Sequence, residues 1–327
     1  MWMWVQRAVG LLLILSAIAL ALARAPDVPV AGLVARWAPP PSDFIEVMGQ
    51  TVHVRDEGPR HDGGPDGGPP PIVLIHGTSA SLHTWEGWAK ALKGQRRVIS
   101  FDLPGFGLTG PFVANPAGGY EADNYHGDTY ARFVIDLLDA LQVRRAVIVG
   151  NSLGGEVAWR TAAMAPQRVA SLVLVDAAGL SFKPQKVPLG FLLARVPVLN
   201  KLAEWALPRS VVVEGLHSVY GDPARITETL VDRYFELALR EGNRRALGLR
   251  ARQMVMGEHV DRLAALKLPT LILWGGRDRL IPPEAGVEFE RRIAGSRRVV
   301  FENLGHVPQE EDPALSLAPV KEFLALK

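Results

Sequence analysis

One serine, set between two glycines, is the side chain of this sequence best placed for nucleophilic chemistry. Residues 146–149 are apolar and run into Gly-Asn-Ser-Leu-Gly at 150–154, after which small residues continue in a helical pattern. This order predicts a strand, a sharp turn and a helix, with Ser152 at the apex. Such a turn needs small residues two positions before and after the serine, and Gly150 and Gly154 meet that need. The alternative is an ordinary strand-to-helix turn.

Two later strands end next to residues that could serve as a base and an acid. Asp278 follows the apolar run 271–274, and His306 follows the run 298–302. A serine hydroxyl needs a base to take its proton, and that base needs a carboxylate to orient it. The order serine, acid, histidine along the chain fits this arrangement, and parallel strands place all three at one sheet edge. We therefore predict a triad of Ser152, Asp278 and His306.

Several residues near this predicted triad have competing interpretations. Asp278 could instead cap the helix that follows it, and His306 could be a loop histidine bonded to the backbone. Asp176 is a rival acid because it also follows an apolar strand, at 172–175. Glu310 and Glu311 lie close to the histidine in sequence, and we expect them to start the last helix.

Acyl transfer also needs donors for the developing negative charge. An apolar strand at 72–75 ends in His-Gly at 76–77, and the next backbone N–H can point at that charge. We assign the oxyanion hole to the N–H groups of Thr78 and Leu153, with Ser79 as a lesser candidate. His76 is expected to brace this loop by hydrogen bonding and not to act as a second base.

Composition limits the classes of function. The chain has 327 residues, of which 48% are hydrophobic, enough for one large α/β domain with an inserted subdomain. The formal net charge of +2 gives no indication of a nucleic-acid partner. The absence of cysteine excludes disulfides, thiolate metal sites and a cysteine nucleophile. No His/Asp/Glu cluster has metal-ligand spacing and no phosphate loop is present, so neither a metal nor a cofactor is predicted.

The alternation of apolar runs and helical segments predicts an α/β fold. Eight strands form a mostly parallel sheet with helices on both faces. The core that contains this sheet takes residues 44–179 and 266–327, and we expect the long helical connection 180–265 to form a cap over the site. The strands are predicted at 44–47, 51–56, 72–76, 97–102, 145–150, 170–175, 270–274 and 298–302.

Two features of the predicted cap bear on ligand binding. Its apolar side chains Leu189, Phe191 and Leu192 are the best candidates for substrate contact, with packing between cap and core as the alternative. Five arginines between 240 and 252 form a basic run, which we expect to be a solvated helix face; binding of an anionic ligand is the alternative.

The amino terminus predicts a membrane segment. Residues 8–23 carry no charge and are bracketed by Arg7 and Arg24, so residues 1–25 could form an anchor or signal helix. Sixteen helical residues span about 24 Å, a little short of a hydrocarbon core of about 30 Å. We expect an uncleaved anchor with the catalytic domain outside the cytoplasm, on a periplasmic-type face, followed by a Pro-rich spacer at 26–43. A small-x-small site at 21–23 supports the alternative of a cleaved signal and a secreted enzyme.

These motifs together resemble the capped branch of the α/β-hydrolase superfamily, which includes esterases, perhydrolase-type haloperoxidases and carbon–carbon bond hydrolases. The resemblance extends from about residue 44 to the end of the chain. It implies a serine hydrolase that works through an acyl-enzyme. The matching residues are His-Gly at 76–77, Asp-Leu-Pro-Gly-Phe-Gly at 102–107, Gly-Asn-Ser-Leu-Gly-Gly at 150–155, Gly-Arg-Asp at 276–278 and Gly-His at 305–306.

The expected reaction is hydrolysis of a small carboxylic ester with an apolar acyl group. Carbon–carbon bond hydrolases of the meta-cleavage-product type are the alternative, because they share the Gly-Asn-Ser-x-Gly-Gly turn. Their oxyanion loop usually reads Gly-x-Gly-Pro-Gly, whereas this chain has Gly-Thr-Ser-Ala-Ser at 77–81, and no aromatic residue follows His306 at 307–309. A non-catalytic ligand-binding protein on the same fold is the alternative of another class.

Overall fold

A single eight-stranded sheet forms the centre of the molecule in the computed structural model, which describes residues 2–64, 67–114, 121, 123–187, 189, 192 and 196–326. The strand order is β1-β2-β4-β3-β5-β6-β7-β8. The pairs β1–β2 and β2–β4 are antiparallel, and the other pairs are parallel. The predicted α/β class with a mostly parallel eight-stranded sheet is confirmed. The strands are β1 Ser42–Val47, β2 Gln50–Glu57, β3 Ile72–Ile75, β4 Val98–Phe101, β5 Ala146–Asn151, β6 Val169–Val175, β7 Thr270–Gly275 and β8 Arg297–Phe301.

Helices cover both faces of this sheet, as predicted. Strands buried on two faces read as continuous apolar runs, which is why β3, β5 and β7 lack polar alternation. One face carries α3 and α12, and the other carries α4, α5 and α10. The helices are α1 Trp2–Leu22, α2 Ala31–Trp37, α3 Glu86–Leu92, α4 Gly127–Ala140, α5 Leu153–Met164, α6 Pro197–Trp205, α7 Arg209–Val219, α8 Glu228–Ala238, α9 Asn243–Gln253, α10 Glu284–Arg292, α11 Pro308–Glu311 and α12 Pro313–Phe323.

The cap is the helical insertion between β6 and β7, and its described helices are α6 to α9. Its helix α9 packs against the core, where Asn243 Nδ2 donates to the carbonyl of Gly107 at 2.9 Å. Arg250 on the same helix forms a buried 2.7 Å ion pair with Glu156 of α5. The expectation of a solvated basic face is therefore wrong for Arg244 and Arg250, which are buried and paired with carboxylates. The other two arginines of α9, at 245 and 252, are exposed.

The segment before the sheet is more than a spacer, because it is hydrogen-bonded to the cap. We call residues 23–41 the strap. Within it, Ala25 N–H donates to the carbonyl of Trp205 at 3.1 Å, and Val28 N–H donates to the carbonyl of Leu239 at 2.7 Å. Asp27 forms a 2.6 Å ion pair with Arg244 of α9. The prediction of a Pro-rich spacer at 26–43 missed these contacts because their partners lie about 180 residues or more further along the chain.

The strap also contributes a small apolar cluster of its own. Leu33 and Trp37 of α2 pack with Leu108 from the core and Leu237 from α8. The indole N–H of Trp37 donates to a carboxylate oxygen of Glu236 at 2.7 Å. The strap thus contacts core and cap at once.

The expected membrane anchor lacks support. Among the described residues, no helix is both long and apolar enough to cross a membrane. The placement of the catalytic domain outside the cytoplasm stays a prediction.

Removal of the strap's indole tests its contribution. We expect Trp37→Ala to lower the free energy of unfolding by about 3–5 kcal/mol, because it deletes a buried aromatic side chain and leaves a cavity. Denaturant unfolding measures this loss. Arg36→Ala is the matched control, since the ion pairs of this half-exposed arginine with Asp232 and Glu236 contribute about 1 kcal/mol or less. Equal, small losses in both variants would contradict a structural role for the strap.

Candidate active site

Ser152 lies at a strained turn between β5 and α5. Its backbone has φ 54° and ψ −118°, a conformation that residues other than glycine rarely adopt. The turn is so tight that a Cβ at Gly150 would lie 2.0 Å from the carbonyl oxygen of Gly154, and a Cβ at Gly154 would lie 2.1 Å from that of Ile75. Both positions therefore require glycine, and the serine is held at the carboxyl edge of the sheet.

The predicted acid and base form a direct hydrogen bond. His306 Nδ1 lies 2.6 Å from Asp278 Oδ2, and both residues are buried. The other oxygen of Asp278 accepts the N–H groups of Leu280 and Ile281 at 2.8 and 2.9 Å. Since a carboxylate only accepts, Nδ1 carries the proton and Nε2 is left as the basic nitrogen. Asp278 thus shapes its own turn and also orients the histidine.

The histidine loop is tied to the serine turn through Asn151. Its side-chain amide donates to the carbonyl of His306 at 2.9 Å and to the carbonyl of Val175 at 3.1 Å. His306 Nε2 is buried and has no hydrogen-bond partner in the part of the chain described. The free nitrogen is the atom that would take the proton of Ser152, a bond that often tightens only when substrate binds.

The oxyanion loop lies directly against the nucleophile. A Cβ at Gly77 would lie 3.0 Å from Cβ of Ser152. The N–H groups of Thr78 and Leu153 donate no hydrogen bond to any described residue, and Leu153 belongs to the first turn of α5, whose N–H groups lack helical partners. Ser79 is exposed with a φ of 62°. The structure therefore offers two unpaired donors beside Ser152.

His76 holds this loop in place. Its Nδ1–H donates to the carbonyl of Gly77 at 2.7 Å, and its Nε2 accepts the N–H of Leu103 at 2.9 Å. Burial lowers the pKa of His76, which keeps the ring neutral. With both nitrogens bound to backbone, His76 is a brace for the loop and has no free nitrogen to act as a base.

Asp176, the rival acid, lies beside the pair and does not replace it. One atom each of Asp176, Asp278 and His306 lie within 4.8 Å of one another. Two ionised carboxylates at that distance repel by roughly 3 kcal/mol at an effective dielectric constant of 20. Such a trio could also ligate a metal ion, but the 2.6 Å bond between histidine and Asp278 assigns these groups to proton handling.

Glu311 is a part of the site that sequence reasoning missed. Its carboxylate accepts the N–H groups of Gly305, Gly221 and Asp222 at 2.8, 3.0 and 2.8 Å. Two of these donors belong to the cap, so the carboxylate bonds the histidine loop to the cap backbone. The expectation that Glu310 and Glu311 start the last helix is wrong, because both end the short helix α11, and Asp312 caps the last helix α12. No local spacing indicates the role of Glu311, because the partners in the cap lie 90 and 89 residues away.

The cap backbone also contacts the histidine loop directly. His306 N–H donates to the carbonyl of Val219 at 2.7 Å. A Cβ at Gly305 would lie 2.3 Å from that same carbonyl oxygen, so glycine is required there as well. The position of the base is therefore set by the cap as much as by the sheet.

The predicted substrate contacts lie on the cap surface or outside the described residues. Leu189 and Leu192 are 53% and 46% exposed. Phe191 lies outside the described part of the chain. A substrate role for these three residues stays a prediction.

Replacement of Glu311 tests whether its carboxylate holds the histidine loop against the cap. We expect Glu311→Gln to cost about 1–3 kcal/mol of stability, because an amide NH₂ then faces backbone N–H groups that have lost an acceptor. Turnover should fall as well, since the loop that carries His306 loosens. Denaturant unfolding and ester hydrolysis measure the two effects. Glu302→Gln, at an exposed position near the same loop, is the control. A variant at 311 that matches this control would refute the brace.

Known proteins resemble the chain along most of its length. It is 30% identical over 272 residues to a 2-hydroxy-6-oxo-2,4-heptadienoate hydrolase of Pseudomonas putida, covering 78% of this chain and 89% of that protein. It is also 30% identical over 263 residues to the dihydrolipoyllysine-residue acetyltransferase component of an acetoin cleaving system from Pseudomonas putida. That match covers 76% of this chain and only 61% of the relative's own length.

Solved structures give the same picture. A meta-cleavage product hydrolase from Pseudomonas fluorescens IP01 superposes with a TM-score of 0.71 at 25% identity, covering 86% of this chain and 97% of that one. The sequence pattern of the alpha/beta hydrolase family matches residues 72–318, which include the serine turn, the acid and the histidine. This chain therefore belongs to the alpha/beta hydrolase family.

Proposed function

We propose that this hydrolase cleaves carboxylic esters through an acyl-enzyme formed on Ser152. The observation that carries the proposal is the arrangement around His306. Its Nδ1 is bound to Asp278 at 2.6 Å, its Nε2 is buried and has no partner among the described residues, and its backbone carbonyl accepts the amide of Asn151, the residue before Ser152. A histidine polarised in this way is suited to remove the proton of Ser152.

The steps follow from these positions. Ser152 Oγ attacks the acyl carbon as His306 Nε2 takes its proton, and Asp278 stabilises the imidazolium that forms. The N–H groups of Thr78 and Leu153 donate to the oxyanion, and one such donor typically contributes about 3–4 kcal/mol. The imidazolium then protonates the leaving alcohol. Water repeats the attack on the acyl-enzyme, with His306 as the base.

A small substrate with an apolar acyl group fits the composition of the cap. Leu189, Phe191 and Leu192 supply apolar side chains in the segment that enters the cap. A cap of this kind excludes water from the acyl-enzyme and encloses the substrate. The chemistry described uses only side chains and backbone of this chain, so the proposal includes no metal or cofactor.

Hydrolysis of a carbon–carbon bond is the second candidate. It is favoured by the similarity to the 2-hydroxy-6-oxo-2,4-heptadienoate hydrolase and to the meta-cleavage product hydrolase. The two reactions differ in the leaving group, because an ester releases an alkoxide whereas carbon–carbon cleavage releases a carbanion. A carbanion must be stabilised by the substrate's own conjugated carbonyl groups. The identity of the substrate therefore separates the two candidates.

Loss of the nucleophile is the first test. We expect Ser152→Ala to lower kcat by about 10⁴- to 10⁶-fold, as is typical for serine hydrolases. The activity is measured with p-nitrophenyl esters of increasing acyl length and, separately, with a coloured dienol meta-cleavage product. Turnover of the esters alone supports the first candidate. Turnover of the dienol alone would replace it with the second, and an undiminished rate in the variant would refute both.

The acid is tested by an isosteric change. We expect Asp278→Asn to lower kcat by about 10⁴-fold, because the amide favours the wrong imidazole tautomer. A fluorophosphonate probe should still label Ser152 in the wild-type enzyme, and labelling should be much slower in this variant. A wild-type enzyme that the probe does not label would instead favour a non-catalytic ligand-binding protein.

A further inference from the structure

A third buried carboxyl group adjoins the acid–base pair, and the reaction steps above do not use it. Asp176 follows β6 and has no exposed surface. Its Oδ1 accepts the N–H of Gly275 at 2.9 Å, whereas its Oδ2 is buried and receives no hydrogen bond from any described donor. A buried oxygen without a donor is costly, so its presence next to a second carboxyl group calls for a physical reason.

The charges around Asp176 supply that reason. Asp278 faces it from the end of β7, and His306 and Glu311 face it from the segment after β8. Burial raises the pKa of Asp176 well above its ordinary value, and the negative charge of Asp278 raises it further. The N–H of Gly275 acts in the opposite direction and is the smaller effect. One imidazole cannot compensate two buried carboxylates.

The hydrogen-bond roles distinguish the two carboxyl groups. Asp278 receives donors on both oxygens, from two backbone N–H groups and from His306, as an ionised group requires. Asp176 receives one donor, on Oδ1 only. Its other oxygen is thus the natural position for a proton, and the adjacent Asp278 carboxylate is the natural acceptor.

We propose that Asp176 is a positioning residue whose carboxyl group keeps a proton on Oδ2 and donates it in a hydrogen bond to the Asp278 carboxylate. This donor holds Asp278 in the orientation that faces Nδ1 of His306. It also keeps Asp176 and Asp278 together at a single negative charge. The role rests on the proposed serine hydrolase chemistry, because Asp176 acts through Asp278 and His306 and does not touch the reacting atoms.

An isosteric amide is the first variant. Asp176→Asn keeps an acceptor for the N–H of Gly275 and a donor toward Asp278, and it replaces one neutral group with another. We expect kcat/KM within about threefold of wild type and an acid limb of its pH profile shifted by less than about 0.3 pH units. If Asp176 were ionised, its replacement by Asn would instead remove a negative charge beside the imidazolium of His306, and the acid limb would move down by about one pH unit or more. That shift would overturn the proposal.

Removal of the donor is the second variant. In Asp176→Ala, the Asp278 carboxylate loses the proposed hydrogen bond from residue 176. Its negative charge then acts more strongly on His306, so the imidazolium becomes more stable. We expect kcat to fall about tenfold with KM changed less than about twofold, and the acid limb to move to higher pH. A purely structural role would not shift the pH profile. An alanine variant with the profile of the asparagine variant would also overturn the proposal.

A measurement on the wild-type enzyme needs neither activity nor a folded alanine variant. With ¹³C-labelled aspartate carboxyl groups, we expect one side-chain carboxyl to stay protonated at pH 7 and its signal to be missing in Asp176→Asn. An inactive enzyme that shows this signal contradicts the proposed function and leaves the protonated acid in place. An active enzyme whose aspartates are all ionised at pH 7 refutes the role of Asp176.

Discussion

The hydrogen bond between His306 Nδ1 and Asp278 Oδ2 is the interaction on which the rest of the site depends. At 2.6 Å and out of contact with water, it fixes which ring nitrogen carries the proton and leaves the other nitrogen basic. Its geometry depends on parts that are far apart in sequence, namely the ends of β7 and β8, the cap backbone at Val219 and the carboxylate of Glu311. Neither the sheet nor the cap alone places the imidazole.

A second buried polar network is centred on Asp102. Asp102 accepts the N–H groups of Leu82 and Leu108 at 2.7 Å each and pairs with His53 at 2.8 Å, and His53 in turn lies 2.9 Å from the hydroxyl of Ser42. Although burial acts to raise it, the pKa of Asp102 is lowered by His53, so the carboxylate stays ionised. The network connects the two antiparallel strands to the loop that carries Thr78. It stabilises the oxyanion loop and takes no part in bond making.

Sequence reasoning recovered the features that local pattern determines. Apolar runs identified the six strands β3 to β8, and the turn at 48–50 indicated β1 and β2. The ends of the parallel strands placed Ser152, Asp278 and His306 at one edge. It also predicted that His76, at the end of a strand and next to a glycine, would hold the oxyanion loop by hydrogen bonding. These predictions succeed because the spacing of apolar residues and the positions of strand ends can be read from short segments of sequence.

The sequence did not predict the features that depend on contacts between residues far apart in the chain. The role of Glu311 depends on cap N–H groups whose positions no spacing reveals, and the arginines of α9 find Glu156 and Asp27 only once the cap has folded. Proline-rich composition suggested a loose spacer, although the strap pairs with two separate cap segments. The protonated state proposed for Asp176 likewise depends on the folded structure. Its carboxyl group, that of Asp278 and the imidazole of His306 follow three different strands and come together only when the sheet has formed.

The strap has a mechanical consequence. Its hydrogen bonds to Trp205 and Leu239 lie between α1 and the first strand, so tension applied at the amino terminus reaches the cap before it reaches the sheet. The cap backbone bonds to the His306 loop. A pull on the first helix would therefore load the cap, and through Val219 the loop that carries His306, before it loads the first strand.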